Sequence, residues 1–156
     1  MRKIFSVNNN SKATDTALLI ARIGIAGLML THGIPKLMML LSGGPVQFPR
    51  VMGMSAEVSL GLTIFSEVLC SLLILVGFGT RIAVVPLIIT MLVAVFLIHA
   101  TDPMSKKEPG LQYLLVYLVL LFGGSGKYSI DYLLGGEKAK SSNQREEKDP
   151  TLAIYQ

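Results

Sequence analysis

The chain has 156 residues, 51% of them hydrophobic and 15% charged, with a mean hydropathy of +0.58 and a formal net charge of +4. That composition is too apolar for an ordinary soluble domain of this size and predicts one integral membrane domain whose first partner is the lipid bilayer. The basic surplus is spread over loops and tails between apolar runs, so it speaks to topology and not to a nucleic-acid partner.

Residues 1–15 read as a polar N-terminal tail carrying Arg2, Lys3 and Lys12. No secretory cleavage pattern closes the first apolar run, so that run is expected to stay attached as an anchor. It extends from Ala17 to Leu41 and is interrupted by Arg22, His32 and Lys36. At about 100° per residue, His32 and Lys36 fall within roughly 80° of Arg22, giving one polar face on an otherwise lipid-soluble helix. A charge at membrane depth is costly unless it is paired, solvated or able to snorkel, so this face requires partners. Gly24 and Ala26-Gly27 are expected to allow close helix packing.

The connection from Ser42 to Ser55 contains Gly43, Gly44, Pro45, Pro49 and Gly53 and reads as an interfacial loop. Ser55 is expected to cap the second span, Val58 to Phe78, which holds Glu67 near mid-membrane and the single cysteine, Cys70, as a packing residue. The tight turn Gly77-Phe-Gly-Thr-Arg81 makes spans two and three an antiparallel hairpin. Span three, Ile82 to Ala100, contains Pro86 and ends at His99, and Thr101 to Pro109 forms a polar outer loop. The last apolar run, Leu111 to Gly124, is about 14 residues, a length at which a re-entrant segment competes with a span. The basic residues decide between them. Lys127, Lys138, Lys140, Arg145 and Lys148 favour the cytoplasmic side, as does the N-terminus, so the number of spans should be even. The expected fold is all-α: a four-helix antiparallel transmembrane bundle over residues 16–134 with both termini cytoplasmic. Ser129 to Leu134 reads as a short amphipathic helix capped by Ser129, and residues 135–156 as a disordered charged tail.

Depth along each helix suggests which polar groups meet. Arg22 lies about 9 Å from the inner end of span one and Glu67 about 14 Å below the outer boundary, within the reach of an arginine, so the two are paired as a buried ion pair. His32, Lys36, His99 and Glu108 fall near the outer face and form a candidate polar pocket able to bind a polar head group or pass protons. A structural reading stands beside each: the pair fixes which helix faces which, and the cluster is a snorkelling lysine with hydrogen-bonded histidines. Two histidines on different helices are a ligand set that a haem uses, but it is set aside because both would have to project inward at matched depth. No Glu-x-x-His or clustered Cys/His spacing suggests a metal. The string Gly123-Gly-Ser-Gly-Lys127 fails as a phosphate loop, with Leu121 in place of the first glycine and Tyr128 in place of the magnesium-binding Ser/Thr. Tyr113 and Tyr117, one turn apart, are packing or interfacial residues whose rings could also sandwich a quinone-like ring.

Taken together, Arg22-Ile-Gly24, His32-Gly33-x-x-Lys36, Glu67, Gly77-x-Gly-Thr-Arg81, His99 and Gly124-Ser-Gly126-Lys-Tyr-Ser129-x-Asp131 resemble the DoxX family of small bacterial membrane proteins. The resemblance covers about residues 16–134 and rests on the order and spacing of these groups, with Arg81, Ser129 and Asp131 as family-like turn and inner-surface positions. It implies a four-helix bundle in the bacterial inner membrane. It also implies association with redox systems, since some members are named as subunits of thiosulfate:quinone oxidoreductase or of a terminal quinol oxidase. Three functions follow as expectations: an accessory or quinone-interacting subunit of a redox enzyme, without a catalytic motif of its own; a non-catalytic scaffold or assembly factor, including a homo-oligomer; and a small-molecule or proton transporter.

Overall fold

The computed structural model describes residues 11–135, all helical or connecting. The first helix, α1, runs Ser11–Leu41 and so begins before the apolar run that the sequence marks at Ala17. Helix α2 spans Ala56–Val76, α3 spans Thr80–Ile98, and α4 spans Met104–Gly123. A further helical turn occupies 130–135. Among the described residues, three helices are long and apolar enough to cross a membrane: α1, α2 and α3. Helix α4 has 20 residues, but its first turns carry Lys106, Lys107 and Glu108, so it falls outside that group. The C-terminal tail expected to be disordered lies outside the described residues.

Local chemistry explains the element boundaries. Ser55 has extended backbone, and its Oγ accepts a hydrogen bond from Val58 N at 3.3 Å, the cap expected from sequence. Helix α2 ends where Gly77 adopts a left-handed conformation, φ 73°, and Phe78 N donates to Leu73 O at 2.9 Å. Ser129 Oγ accepts from Tyr132 N at 3.2 Å and starts the last turn. Two helices contain π-helical stretches, Phe65–Cys70 in α2 and Ala94–Ile98 in α3. Each adds a residue to the local ring and re-aims the side chains that follow.

One apolar cluster joins the four helices, with Ile25, Ala26 and Met29 from α1, Cys70 and Ile74 from α2, Val84, Leu87 and Met91 from α3, and Tyr117 and Leu120 from α4. The outward surface is equally apolar: Ile82 is 80% exposed and Phe122 79%. A protein surrounded by water does not leave such residues uncovered on every side, whereas lipid tails accept them at no cost. Close approach occurs at Gly33, where an added Cβ would lie 2.8 Å from Val68 Cγ2 and 3.0 Å from the Glu67 carbonyl carbon. Gly24 and Gly27, expected to serve that purpose, instead face open space, with nothing within 4 Å of an added Cβ.

Candidate functional site

The buried acid and base of the membrane domain do not pair as the sequence suggests. Arg22 is 1% exposed, but its guanidinium donates to two backbone carbonyls, Nη1 to Ser125 O at 2.8 Å and Nη2 to Tyr128 O at 2.7 Å. Glu67, 3% exposed, is held instead by Lys36, whose Nζ reaches Oε1 at 2.6 Å and Oε2 at 2.5 Å. The Gly33 contact accounts for this. It sets Gly33 level with Glu67, which places Lys36 one turn away and Arg22 eleven residues, about 16 Å, in the opposite direction. Depth counted from assumed membrane boundaries could not supply that register, because α1 has 31 residues, about 46 Å of helix, and overhangs a hydrocarbon layer of about 30 Å.

Arg22 belongs to an assembly at the Gly77 end of the bundle, with the three family-like positions Arg81, Ser129 and Asp131. Its Nη1 sits where a Cβ on Gly77 would fall, at 1.9 Å, so only glycine fits beneath the guanidinium. Asp131 N donates to Gly77 O at 3.0 Å, and the Asp131 carboxylate accepts from Gly79 N at 2.8 Å and Thr80 N at 3.4 Å. A carboxylate is thereby supplied to the N-terminus of α3, which has no side-chain cap of its own. Arg81 Nη2 donates to Phe122 O at 3.3 Å, and Ser129 Oγ donates to Gly126 O at 2.6 Å. Through these bonds Arg22, Arg81 and Asp131 fasten α1, the α2–α3 turn, the end of α4 and the segment after it to one another, while Arg22 Nε and Thr80 Oγ1 have no hydrogen-bond partner among the described residues.

At the other end, the four helices surround a cavity of about 200 Å3 lined by His32, Lys36, Glu67, His99, Lys106 and Tyr113, with apolar walls from Met29, Met91, Ala94, Val95 and Pro109. Both π-helical stretches contribute: Glu67 lies in one, Ala94 and Val95 in the other, and His99 N closes the second by donating to Ala94 O at 2.9 Å. Of the four sequence-derived pocket residues, His32, Lys36 and His99 line the cavity and Glu108 does not. Glu108 is exposed and accepts a bond from Gln112 Nε2 at 3.2 Å. Because α4 begins at Met104, residues 106, 110 and 113 share its inner face, and Glu108 is turned well away, by about 200° from Lys106. The ring of Tyr113 meets His32 edge-on at 5.9 Å and stacks on Tyr117 at 6.2 Å. Tyr117 is fully buried, and its hydroxyl has no hydrogen-bond partner among the described residues. At the rim, His99 Nδ1 and Asp102 Oδ2 are 2.7 Å apart. That hydrogen bond first, and then the charges of His99, Lys106 and Lys107, hold the Asp102 carboxyl below the usual carboxylate range. Asp102 and Lys106 were not singled out from sequence; their signal was proximity to His99 in the segment 101–109, expected as a polar loop but helical from Met104 onward as the start of α4.

Apolar helices with a buried ion pair, polar inward faces and a lipid-like exterior define an integral membrane protein. Residues 17–100 match the DoxX family, and the chain belongs to it. It is 30% identical over 129 residues to the uncharacterized membrane protein Rv3486 of Mycobacterium tuberculosis, an alignment covering 74% of this chain and 79% of that one. No solved structure matches the chain.

Proposed function

We propose that this DoxX protein is an accessory subunit of a redox system in the bacterial inner membrane and that its outer cavity receives a quinone-type ring. The observation that carries the reading is the mixed lining of the cavity: methionine, proline and aromatic surface for a flat ring, with ammonium and imidazole groups where the ring's oxygens would fall. A ring carbonyl accepts hydrogen bonds, and Lys36 retains one N–H beyond the two given to Glu67. Within this reading α4 is a fourth span, short on its outer side, and both termini are cytoplasmic. Its support is the packing of α4 along α3 and the basic residues that follow it.

The test is titration of decylubiquinone into the purified full chain in nanodiscs by calorimetry. Saturable binding that weakens about tenfold in His32→Ala, roughly the worth of one good hydrogen bond, is the expected result. Binding that does not saturate contradicts the cavity reading and leaves the scaffold role in its place. Topology is tested separately by a C-terminal alkaline phosphatase fusion, expected to be inactive; an active fusion contradicts the cytoplasmic C-terminus.

A further inference from the structure

Asp102 follows the end of α3, three residues after His99, and the bond between them fixes the imidazole. An ionised carboxylate can only accept, so the proton of the 2.7 Å contact belongs to His99 Nδ1, which leaves Nε2 as the position of the ring that can accept a proton. His99 lines the cavity, and with Nδ1 engaged, Nε2 is its one polar ring atom left for an occupant. The side chain is 37% exposed, so a proton taken up there has a route to outer solvent.

The other groups around the cavity complete the chemistry. From α1 come His32 and Lys36, from α2 Glu67, and from α4 Lys106 and Tyr113. Glu67 is engaged on both oxygens by Lys36, so it is not the free base of the site. Lys106 has no lone pair when charged, and Lys107 donates outside the cavity to Ala100 O at 2.8 Å. The lining therefore combines two imidazoles, of which His99 is the one oriented by a hydrogen bond at Nδ1, with the ammonium of Lys106 and a Lys36–Glu67 ion pair.

We propose that His99, positioned by Asp102, is the proton acceptor of the cavity, and that the site takes ring compounds bearing a weakly acidic hydroxyl and holds them as oxyanions. This rests on the reading of the cavity as a ring site. In the step, the ligand O–H bond breaks, an Nε2–H bond forms, and the electron pair stays on the ligand oxygen. The imidazolium keeps its Nδ1–H bond to Asp102, the oxyanion is neutralised by the ammonium group of Lys106, and Lys36, its charge already matched by Glu67, donates its remaining N–H. No electron is transferred.

The probe is p-nitrophenol, whose phenolate absorbs at longer wavelength than the phenol, added to the purified full chain in nanodiscs at a pH where free probe is mostly protonated. The bound probe should show the phenolate band. His99→Gln should bind the probe more weakly and in its neutral form, with the band back at the phenol position. Asp102→Asn, which can donate to Nδ1 and so displace the lone pair from Nε2, should lower the bound ionisation constant about tenfold, one pH unit. A bound probe that stays neutral in the parent protein, or a phenolate band that survives His99→Gln, overturns the proposal. Decylubiquinone binding without p-nitrophenol binding overturns it alone, whereas failure of both ligands to bind overturns the ring-site reading with it.

Discussion

Lys36 and Glu67 form a two-pronged ion pair, 2.6 and 2.5 Å from ammonium to carboxylate oxygens, across the point where Gly33 brings α1 against α2. The helices approach because a glycine removes the obstacle, and the approach places the charges within reach. Packing and electrostatics therefore depend on one another at this level of the membrane.

Removing one member of the pair should cost more than removing both. Lys36→Met leaves a buried carboxylate without its counter-charge, an expected loss of about 3 kcal/mol. The double variant Lys36→Met with Glu67→Met should recover most of that loss. Denaturant unfolding in detergent, followed by helical circular dichroism, checks the order.

Gly33→Ala should destabilise the protein by about 1–3 kcal/mol, since the new methyl meets Val68 Cγ2 at 2.8 Å and the Glu67 backbone at 3.0 Å. Gly24→Ala and Gly27→Ala meet nothing within 4 Å and should be neutral or stabilising by about 0.5–1 kcal/mol. Comparing the thermal midpoints of the three variants tests which glycine governs helix approach.

These two cases also show what could be read from the residues alone. The Ser55 cap, the glycine hairpin and the Ser129 turn are local, and their signals lie within a few positions of the feature. The partner of Glu67 is not local. It depends on the register between two helices joined by a long loop, and that register is set by a contact that helix-depth counting cannot reveal. The same applies to Lys106 and Glu108, neighbours in sequence whose roles are separated by the phase of α4. The π-helical stretches that aim Glu67 and His99 carry no sequence signature of the kind that glycine or proline gives a turn.

Arg22→Lys should fail to replace arginine at the Gly77 end of the bundle. A lysine offers a point charge where the guanidinium reaches Ser125 O and Tyr128 O with two separate nitrogens. Loss of one charge-assisted bond predicts a cost of about 1.5–3 kcal/mol. Gly77→Ala should be at least as damaging, because its Cβ would occupy the Nη1 position and its backbone has φ 73°. Limited proteolysis near residues 124–130 would report release of this segment in both variants.

Acid sensitivity should be traceable to Asp102. Its carboxyl lies below the usual range, first through the His99 hydrogen bond, so its favourable contribution is fully present above the ordinary aspartate value, about 3.9, and is lost as pH falls through the lower folded-state value. Asp102→Asn should remove that part of the stability profile and leave the rest unchanged. Thermal midpoints measured from pH 6 downward, a range chosen as roughly two units above the aspartate value, check the sign.

The proposal that the cavity shared by α1, α2, α3 and α4 receives a quinone-type ring is tested most directly by photolabelling with an azidoquinone in nanodiscs, followed by peptide mass spectrometry. Adducts should map to the cavity lining, at Met29, Met91 or Tyr113, and be displaced by excess decylubiquinone. Labelling confined to the lipid-facing residues Ile82, Phe96 and Phe122, undiminished by competitor, would contradict the account.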